Sequence, residues 1–208
     1  MTAGLILAAL LTACGGRARP ASSAAPLRPS PDSISRLEAA YRTQTDSARR
    51  LFTDGDVAFM TGMISHHNQA LTMSALITDR TTNAAIRTLG ARIINAQRDE
   101  IALMQQWLRE RGLPVPQPMA GMDHGAMMPG MLTPEQLQQL GATRGAAFDR
   151  LFLTFMIQHH SGAISMVDHL VSTTGSAQDE TVFRLANGVR VDQDTEINRM
   201  RLMLQALP

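Results

Sequence analysis

The chain has 208 residues, a formal net charge of +1 and 44% hydrophobic residues, enough for one domain with a sizeable core. All 19 basic residues are arginine, scattered without a basic block or an aromatic platform, so nucleic-acid binding has no support. A single cysteine excludes an intramolecular disulfide, and 14 methionines stand beside only 4% aromatic residues.

The elements follow in chain order. Leu5 to Leu11 is an apolar run too short to span a bilayer. It ends in Leu11-Thr12-Ala13-Cys14-Gly15, the pattern of a lipobox, which predicts a secretory signal over 1–13, cleavage before Cys14 and lipidation of that cysteine. The usual basic n-region is missing, so this reading expects a start upstream of Met1. Residues 14–32 are rich in Pro, Ala, Ser and Gly and read as a flexible tether. The mature protein is then expected in the cell envelope, lipid-anchored to a membrane on its periplasmic or extracellular face.

A first helix is expected from Ser33 to Leu51, with sparse apolar positions, as an arm on the outside of the main body. Asp54-Gly55-Asp56 signals the start of a second helix running to about Ile77. Thr81-Thr82-Asn83 marks a turn and a cap, and a long helix follows from Asn83 to Arg111, stopped by Gly112 with Pro114 beyond. Residues 112–132 read as a Met-rich loop. Thr133-Pro134-Glu135-Gln136 is a cap with Pro at the first helical position, opening a short helix that breaks at Gly141. Further helices are expected from about Arg144 to Thr173 and from about Gln178 to Leu207.

A duplication organises these elements. Met63-Ile64-Ser65-His66-His67 returns 93 positions later as Met156-Ile157-Gln158-His159-His160, and these copies hold four of the six histidines. At 100° per residue, Asp56, Met60, Met63, His66, His67, Ala70 and Met73 fall within an arc of roughly 140° on a helix. Asp149, Leu153, Met156, His159, His160, Ala163 and Met166 repeat the stripe. The partner helices are duplicated too: Ile93, Gln97, Glu100, Met104 and Trp107 match Val189, Gln193, Glu196, Met200 and Met203 at an offset of 96. A Gln and a Glu inside an apolar stripe would cost several kcal/mol each if unpartnered, on a scale of roughly 2–7 kcal/mol, so the histidines are their expected partners. The fold class is all-α: a four-helix bundle from two repeated helical hairpins, plus an N-terminal helical arm. Repeat one covers about 54–111 and repeat two about 144–207.

Thioether and imidazole recur together. Thioether sulfur favours Cu(I), and imidazole accepts copper, zinc, iron or nickel. The loop carries Met119, Met122, His124, Met127, Met128 and Met131, residues that a flexible loop does not need for packing, although a hydrophobic flap would also use them. On the helices the candidate ligands are Met63, His66, His67, Met73, Met156, His159, His160 and Met166, facing Glu100, Met104, Glu196 and Met200. Adjacent histidines point about 100° apart, so one of each pair is expected to ligate and the other to bond a carboxylate. A polar core layer without metal is the competing reading. Met203 reads as core, and His169 falls towards the edge of its stripe. No Glu-x-x-His motif of a di-iron bundle is present, and no serine motif or phosphate-binding glycine loop stands out.

The paired Met-Ile-x-His-His motifs, the Gln-x-x-Glu-Ile of Gln97 to Ile101 and Gln193 to Ile197, and the lead-in Phe148-Asp149-Arg150-Leu151-Phe152-Leu153 resemble the bacterial family called domain of unknown function 305. The resemblance covers about Asp54 to Leu204. It implies a ferritin-like bundle in exported proteins, some of them periplasmic copper-binding proteins of copper resistance with Met and His ligands. Carried over by position, those ligands are Met63, His66, His67 and Met73, then Met156, His159, His160 and Met166. Ser161-Gly162 departs from Asn68-Gln69, so the halves are not required to bind equally. The leading expectation is an extracytoplasmic copper-binding protein for sequestration, delivery or resistance, not an enzyme. Cu(I) is favoured and Cu(II) left open; its partners are the copper ion and the membrane, with a homo-oligomer or a copper-exchange protein also open. Alternatives are a ferritin-like metal-dependent oxidase or peroxidase, and an envelope interaction module without metal.

Overall fold

The computed structural model describes residues 30–49, 52–116 and 128–207. The expected signal, Cys14 and most of the tether lie outside these residues, as do Met119, Met122, His124 and Met127 of the loop. Seven helices and no strand occur among the described residues: α1 Pro31–Arg49, α2 Asp54–Ala75, α3 Ile77–Arg80, α4 Ala84–Glu110, α5 Pro134–Ala142, α6 Gly145–Ser172 and α7 Glu180–Ala206. No described helix is long and apolar enough to cross a membrane. Residues 30–45, and so most of α1, belong to a unit of their own, with Ile34, Leu37 and Tyr41 along one face. This helix starts two residues before the predicted boundary of the tether, at Pro31, a residue suited to a first helical turn.

In the second unit, α2 packs on α4 and α6 on α7, and the two hairpins meet through α2 and α6. The result is the ferritin-like four-helix bundle that the repeat predicts. Local chemistry explains the helix ends. Thr53 caps α2 and forms a reciprocal box with Asp56, so the helix starts on Thr53 rather than on the acids themselves. Asn83 caps α4 through Ala85 and Ile86. At the far end, Gly112 takes φ +67°, and the amides of Gly112 and Leu113 bond the carbonyls of Arg109 and Leu108, the double bond of a Schellman stop. Thr133 and Gln136 form a second capping box on α5, behind Pro134. That helix runs through Gly141 to Ala142; the break comes at Thr143–Arg144 instead.

The two hairpins are pinned by the aspartates that lead each His-His helix. Asp56 accepts from the Ala177 amide at 2.6 Å, just before α7, while Asp149 accepts from the Asn83 side chain at 2.9 Å, just before α4. Each His-His helix is thus tied to the start of the other hairpin's second helix.

The apolar core forms two clusters. One holds Phe59, Met60, Met63, Met104, Trp107 and Val167. The other holds Met73, Ile86, Ile93, Phe148, Phe152, Met156 and Met200. Each large side chain fully buried in them stabilises the fold by roughly 1.5–3 kcal/mol. Along every bundle helix the change from one cluster to the other falls at the polar residues: His66 and His67 on α2, Gln97 and Glu100 on α4, His159 and His160 on α6, Gln193 and Glu196 on α7.

Candidate metal centre

The polar residues between the clusters form one transverse layer. Its centre is the pair His66 and His159, whose ring centroids are 3.8 Å apart with planes inclined by 39°. His67 lies 6.4 Å from His66, and His160 lies 6.1 Å from His159, centroid to centroid. Glu100 closes one end, 2.7 Å from His67 Nε2, and Glu196 closes the other, 2.7 Å from His160 Nε2. The order Glu100, His67, His66, His159, His160, Glu196 therefore crosses the bundle from α4 through α2 and α6 to α7. All four imidazoles are fully buried.

Their tautomers follow from their partners. His66 Nε2 faces the Pro129 carbonyl at 3.0 Å, and His159 Nε2 faces the His66 carbonyl at 2.9 Å. His67 and His160 face carboxylates. Carbonyl and carboxylate oxygens only accept, so each Nε2 carries the hydrogen. The remaining nitrogen, Nδ1, is buried in all four rings without a hydrogen-bond partner in the protein. In neutral imidazole that atom presents a lone pair; in the charged form it would be a buried N–H with no acceptor, costing roughly 1–3 kcal/mol. Burial holds His66 down at about 3, reinforced by His67, with the Pro129 bond working the other way. Burial likewise pushes His159 well below its ordinary value, with His66, His160 and His67 adding to the effect. The central pair is neutral in the folded protein at physiological pH.

The expected carboxylate partners of one histidine in each pair are therefore present, at His67 and His160. The expectation that the glutamines also partner histidines fails. Both amide atoms of Gln97 and the carbonyl oxygen of Gln193 are buried without a partner in the protein, because the glutamates already occupy the imidazole N–H groups. The carboxylates gather on the outer side of the layer: burial raises Asp192, and nearby Glu100 and Glu196 raise it further.

The methionines divide around this layer. Met63 and Met104 lie in the core cluster on one side; Met73, Met156 and Met200 lie in the cluster on the other. Met203 packs at the edge of the second cluster. Met166 and Met128 are half-buried and lie together next to Gly62, away from the second cluster. No three His, Cys, Asp or Glu side chains among the described residues converge at metal-ligand spacing. A cage of nitrogen and oxygen ligands is thus not built there, whereas the core clusters on both sides of the layer contain methionines.

Two features of the layer were not foreseen from sequence. The Pro129 carbonyl is a backbone acceptor and leaves no trace in residue type. Gln69 grips Leu132, donating to its carbonyl at 3.0 Å and accepting from its amide at 2.7 Å, so the end of the Met-rich loop is seated beside the imidazoles. The Gln69/Gly162 difference between the repeats was the available signal.

The fold has relatives. A DUF305 protein of Streptomyces coelicolor, described as a candidate secreted protein, is 32% identical, covers 73% of this chain and 93% of its own, and superposes with a TM-score of 0.65. A DUF305 fragment from Deinococcus radiodurans is 31% identical over 75% of this chain and 99% of its own, with a TM-score of 0.66. CopM in a Cu(I)-bound form is 26% identical over 73% of this chain and 96% of its own, with a TM-score of 0.58. A shorter match, 43% identical over 58 residues, is to the uncharacterized protein L153 of Acanthamoeba polyphaga mimivirus; it covers 28% of this chain and 38% of that relative. The model of the domain of unknown function (DUF305) matches residues 56–204, from the aspartate that pins α2 to the last turn of α7, and the chain belongs to that family.

Proposed function

We propose that this chain is an extracytoplasmic copper-binding protein that sequesters or hands on Cu(I), with the imidazole layer as its buried site. The observation that carries this reading is the set of four buried Nδ1 atoms, each oriented by an Nε2–H bond and left without a partner. An imidazole whose N–H is held by a carboxylate is the arrangement that orients a metal ligand and raises its basicity, and it is repeated at His67–Glu100 and His160–Glu196. Thioethers on both sides supply the soft donors that Cu(I) prefers over zinc or iron. The residues present therefore fit copper as cargo: His66, His67, His159 and His160 offer nitrogen, and Met63, Met104, Met156, Met200 and Met73 offer sulfur. Structures of CopM with Cu(I) and Cu(II) bound, at 26% and 27% identity, support the same cargo. The pairing of both layer glutamates with histidines weighs against the oxidase alternative, since it leaves few carboxylates for an iron pair.

The same reading takes residues 1–13 as a signal, Cys14 as the lipidated N-terminus and the segment before α1 as a tether, ahead of one bundle domain. Radiolabelled palmitate incorporation, and its loss with release from membranes in Cys14→Ser, checks that organisation. For the metal, the experiment is competition titration with Cu(I) on protein purified without an affinity tag, at pH 7.5 and pH 5. It compares the wild type with the variant carrying Gln at His66, His67, His159 and His160. The wild type should bind more tightly than the variant at both pH values, because His66, held down at about 3, and His159, held well below its ordinary value, stay neutral and able to ligate at pH 5. The affinity lost in the variant is the imidazole contribution. Equal affinities for the two proteins would overturn the imidazole site.

A further inference from the structure

We propose that Met128, Met166 and His169 form a second, solvent-facing Cu(I) site in the groove between α2 and α6. It goes beyond the buried layer and stands whether or not the imidazoles bind copper. The groove encloses about 230 Å³, with Ala58 and Phe59 of α2 on one wall, Met166, His169 and Leu170 of α6 on the other, and Pro129 at one end.

The internal repeat shows why the space exists. Gly55, Ala58 and Gly62 stand at the positions taken in the second copy by Phe148, Leu151 and Phe155, 93 residues on. Met166 and His169 correspond likewise to Met73 and Leu76. On one side of the α2–α6 interface the large residues fill the core: Phe148 and Met73 are fully buried. On the other side the stripe shrinks to glycine and alanine, and the methionine opposite it is half-exposed.

The space beside Gly62 is occupied by two methionine side chains. A Cβ added at Gly62 would lie 3.4 Å from Met128 Sδ and 3.3 Å from the Met166 methyl group, so thioethers from two separate segments meet at one point. His169 follows Met166 by three residues, which puts its exposed imidazole on the same face of α6 and in the same groove. Two neutral thioethers and one imidazole make a three-coordinate donor set for a soft monovalent ion, and a poor one for zinc, calcium or magnesium. Filling by methionine alone does not account for the arrangement. The apolar residues of the other copy would close the core on this side, whereas here histidine stands where that copy has leucine and glycine where it has phenylalanine.

The probe is Ag(I), a redox-inert stand-in for Cu(I), titrated into the full chain labelled with 13C at its methionine methyl groups. The Met128 and Met166 signals should shift together with one stoichiometry, accompanied by the His169 ring protons. The combined variant Met128→Leu, Met166→Leu and His169→Gln should bind one equivalent fewer than the wild type. The four-histidine variant described above should keep that equivalent. Stationary Met128 and Met166 signals through saturation of the protein, or signals that move with different midpoints, would overturn the proposal. So would an unchanged Ag(I) stoichiometry in the folded triple variant. If the triple variant does not fold, the methyl signals of the unmodified chain decide. Failure of the buried site is read separately, as a four-histidine variant that retains all the copper of the wild type.

Discussion

Gln69 and Gly162 occupy the same position in the two copies of the repeat and seat the same loop by opposite means. Gln69 reaches out with both ends of its amide to the backbone of Leu132. Gly162 withdraws, letting the Pro129 carbonyl and Gly130 rest directly on the α6 backbone, where an added Cβ would overlap the Pro129 carbonyl. The seated loop in turn presents the Pro129 carbonyl to His66 Nε2. Gly162→Ala should therefore displace the loop and destabilise the protein by about 1–3 kcal/mol, the usual cost of overpacking. Gln69→Ala leaves the Leu132 amide and carbonyl unpartnered, at about 1–3 kcal/mol each. Gly141→Ala is the control: nothing lies within 4 Å of the added Cβ, and the site is helical, so the change should be neutral or stabilising by up to about 1 kcal/mol. Urea denaturation of the three variants gives the comparison. A Gly162→Ala protein as stable as the Gly141→Ala protein would mean that the loop is not held there.

The central histidines make stability depend on pH. His66 is depressed from 6.5 to about 3 and His159 is depressed well below 6.5, so the unfolded chain takes up protons that the folded chain refuses. Stability rises with pH wherever the unfolded state binds more protons, so it should fall as the pH drops below 6.5 and continue falling toward about 3. Each of these histidines contributes at most about 1.4 kcal/mol per pH unit in that window. The double variant His66→Gln and His159→Gln should show a shallower fall between pH 6 and pH 4.5. Denaturant midpoints measured at four pH values for both proteins test this. Parallel slopes would show that the central pair is already protonated in the folded state.

Much of this was legible in the sequence because helical periodicity is strict. The two stripes placed His66, His67, His159 and His160 on inward faces, and the 96-residue match placed Glu100 and Glu196 opposite them. Both pairings formed, at His67 and His160. What periodicity does not encode is which nitrogen faces what. The 3.8 Å approach of His66 to His159 depends on how closely α2 and α6 pack, and that is set by residues elsewhere in the interface. The glutamine expectation failed for a related reason: Gln97 and Glu100 share a face, but each imidazole has one N–H to give, and the carboxylate is the stronger acceptor. Thr53, one residue ahead of the acidic start signal, is legible as the cap only through the spacing Thr-x-x-Asp, the pattern of a capping box.

Asp192 should be a mild liability of the apo protein. Burial, then Glu100 and Glu196, raises its carboxyl above the ordinary value of 3.8. A carboxylate raised in the folded state destabilises the fold once it ionises, and the penalty disappears as the pH falls through its range. Asp192→Asn should therefore raise the melting temperature at pH 7 and lose that advantage below about pH 4. Its carboxyl is largely solvent-exposed, so salt should shrink the effect. A variant that melts below the wild type at pH 7 in low salt would show that Asp192 stabilises through some other partner.

The glutamates at the two ends of the layer separate orientation from charge. Gln in place of Glu100 or Glu196 still offers an oxygen to the imidazole N–H, but it removes the negative charge that makes the opposite nitrogen a better donor. Ala removes both. If the imidazoles ligate copper through Nδ1, each Gln variant should weaken the Cu(I) affinity, and each Ala variant should weaken it more, towards the upper part of the roughly 10- to 100-fold range for losing such a support. The two ends should respond alike, because both bonds are 2.7 Å and both carboxylates are similarly exposed, at 16% and 18%. The central pair discriminates further: His66 and His159 bond to carbonyls, so their Nε2–H groups are held without a carboxylate and should be indifferent to either glutamate. Cu(I) competition titrations on the four single variants provide the measurement. Unchanged affinity in both Ala variants, with the fold intact by circular dichroism, would remove His67 and His160 from the ligand set and leave the central pair to carry it.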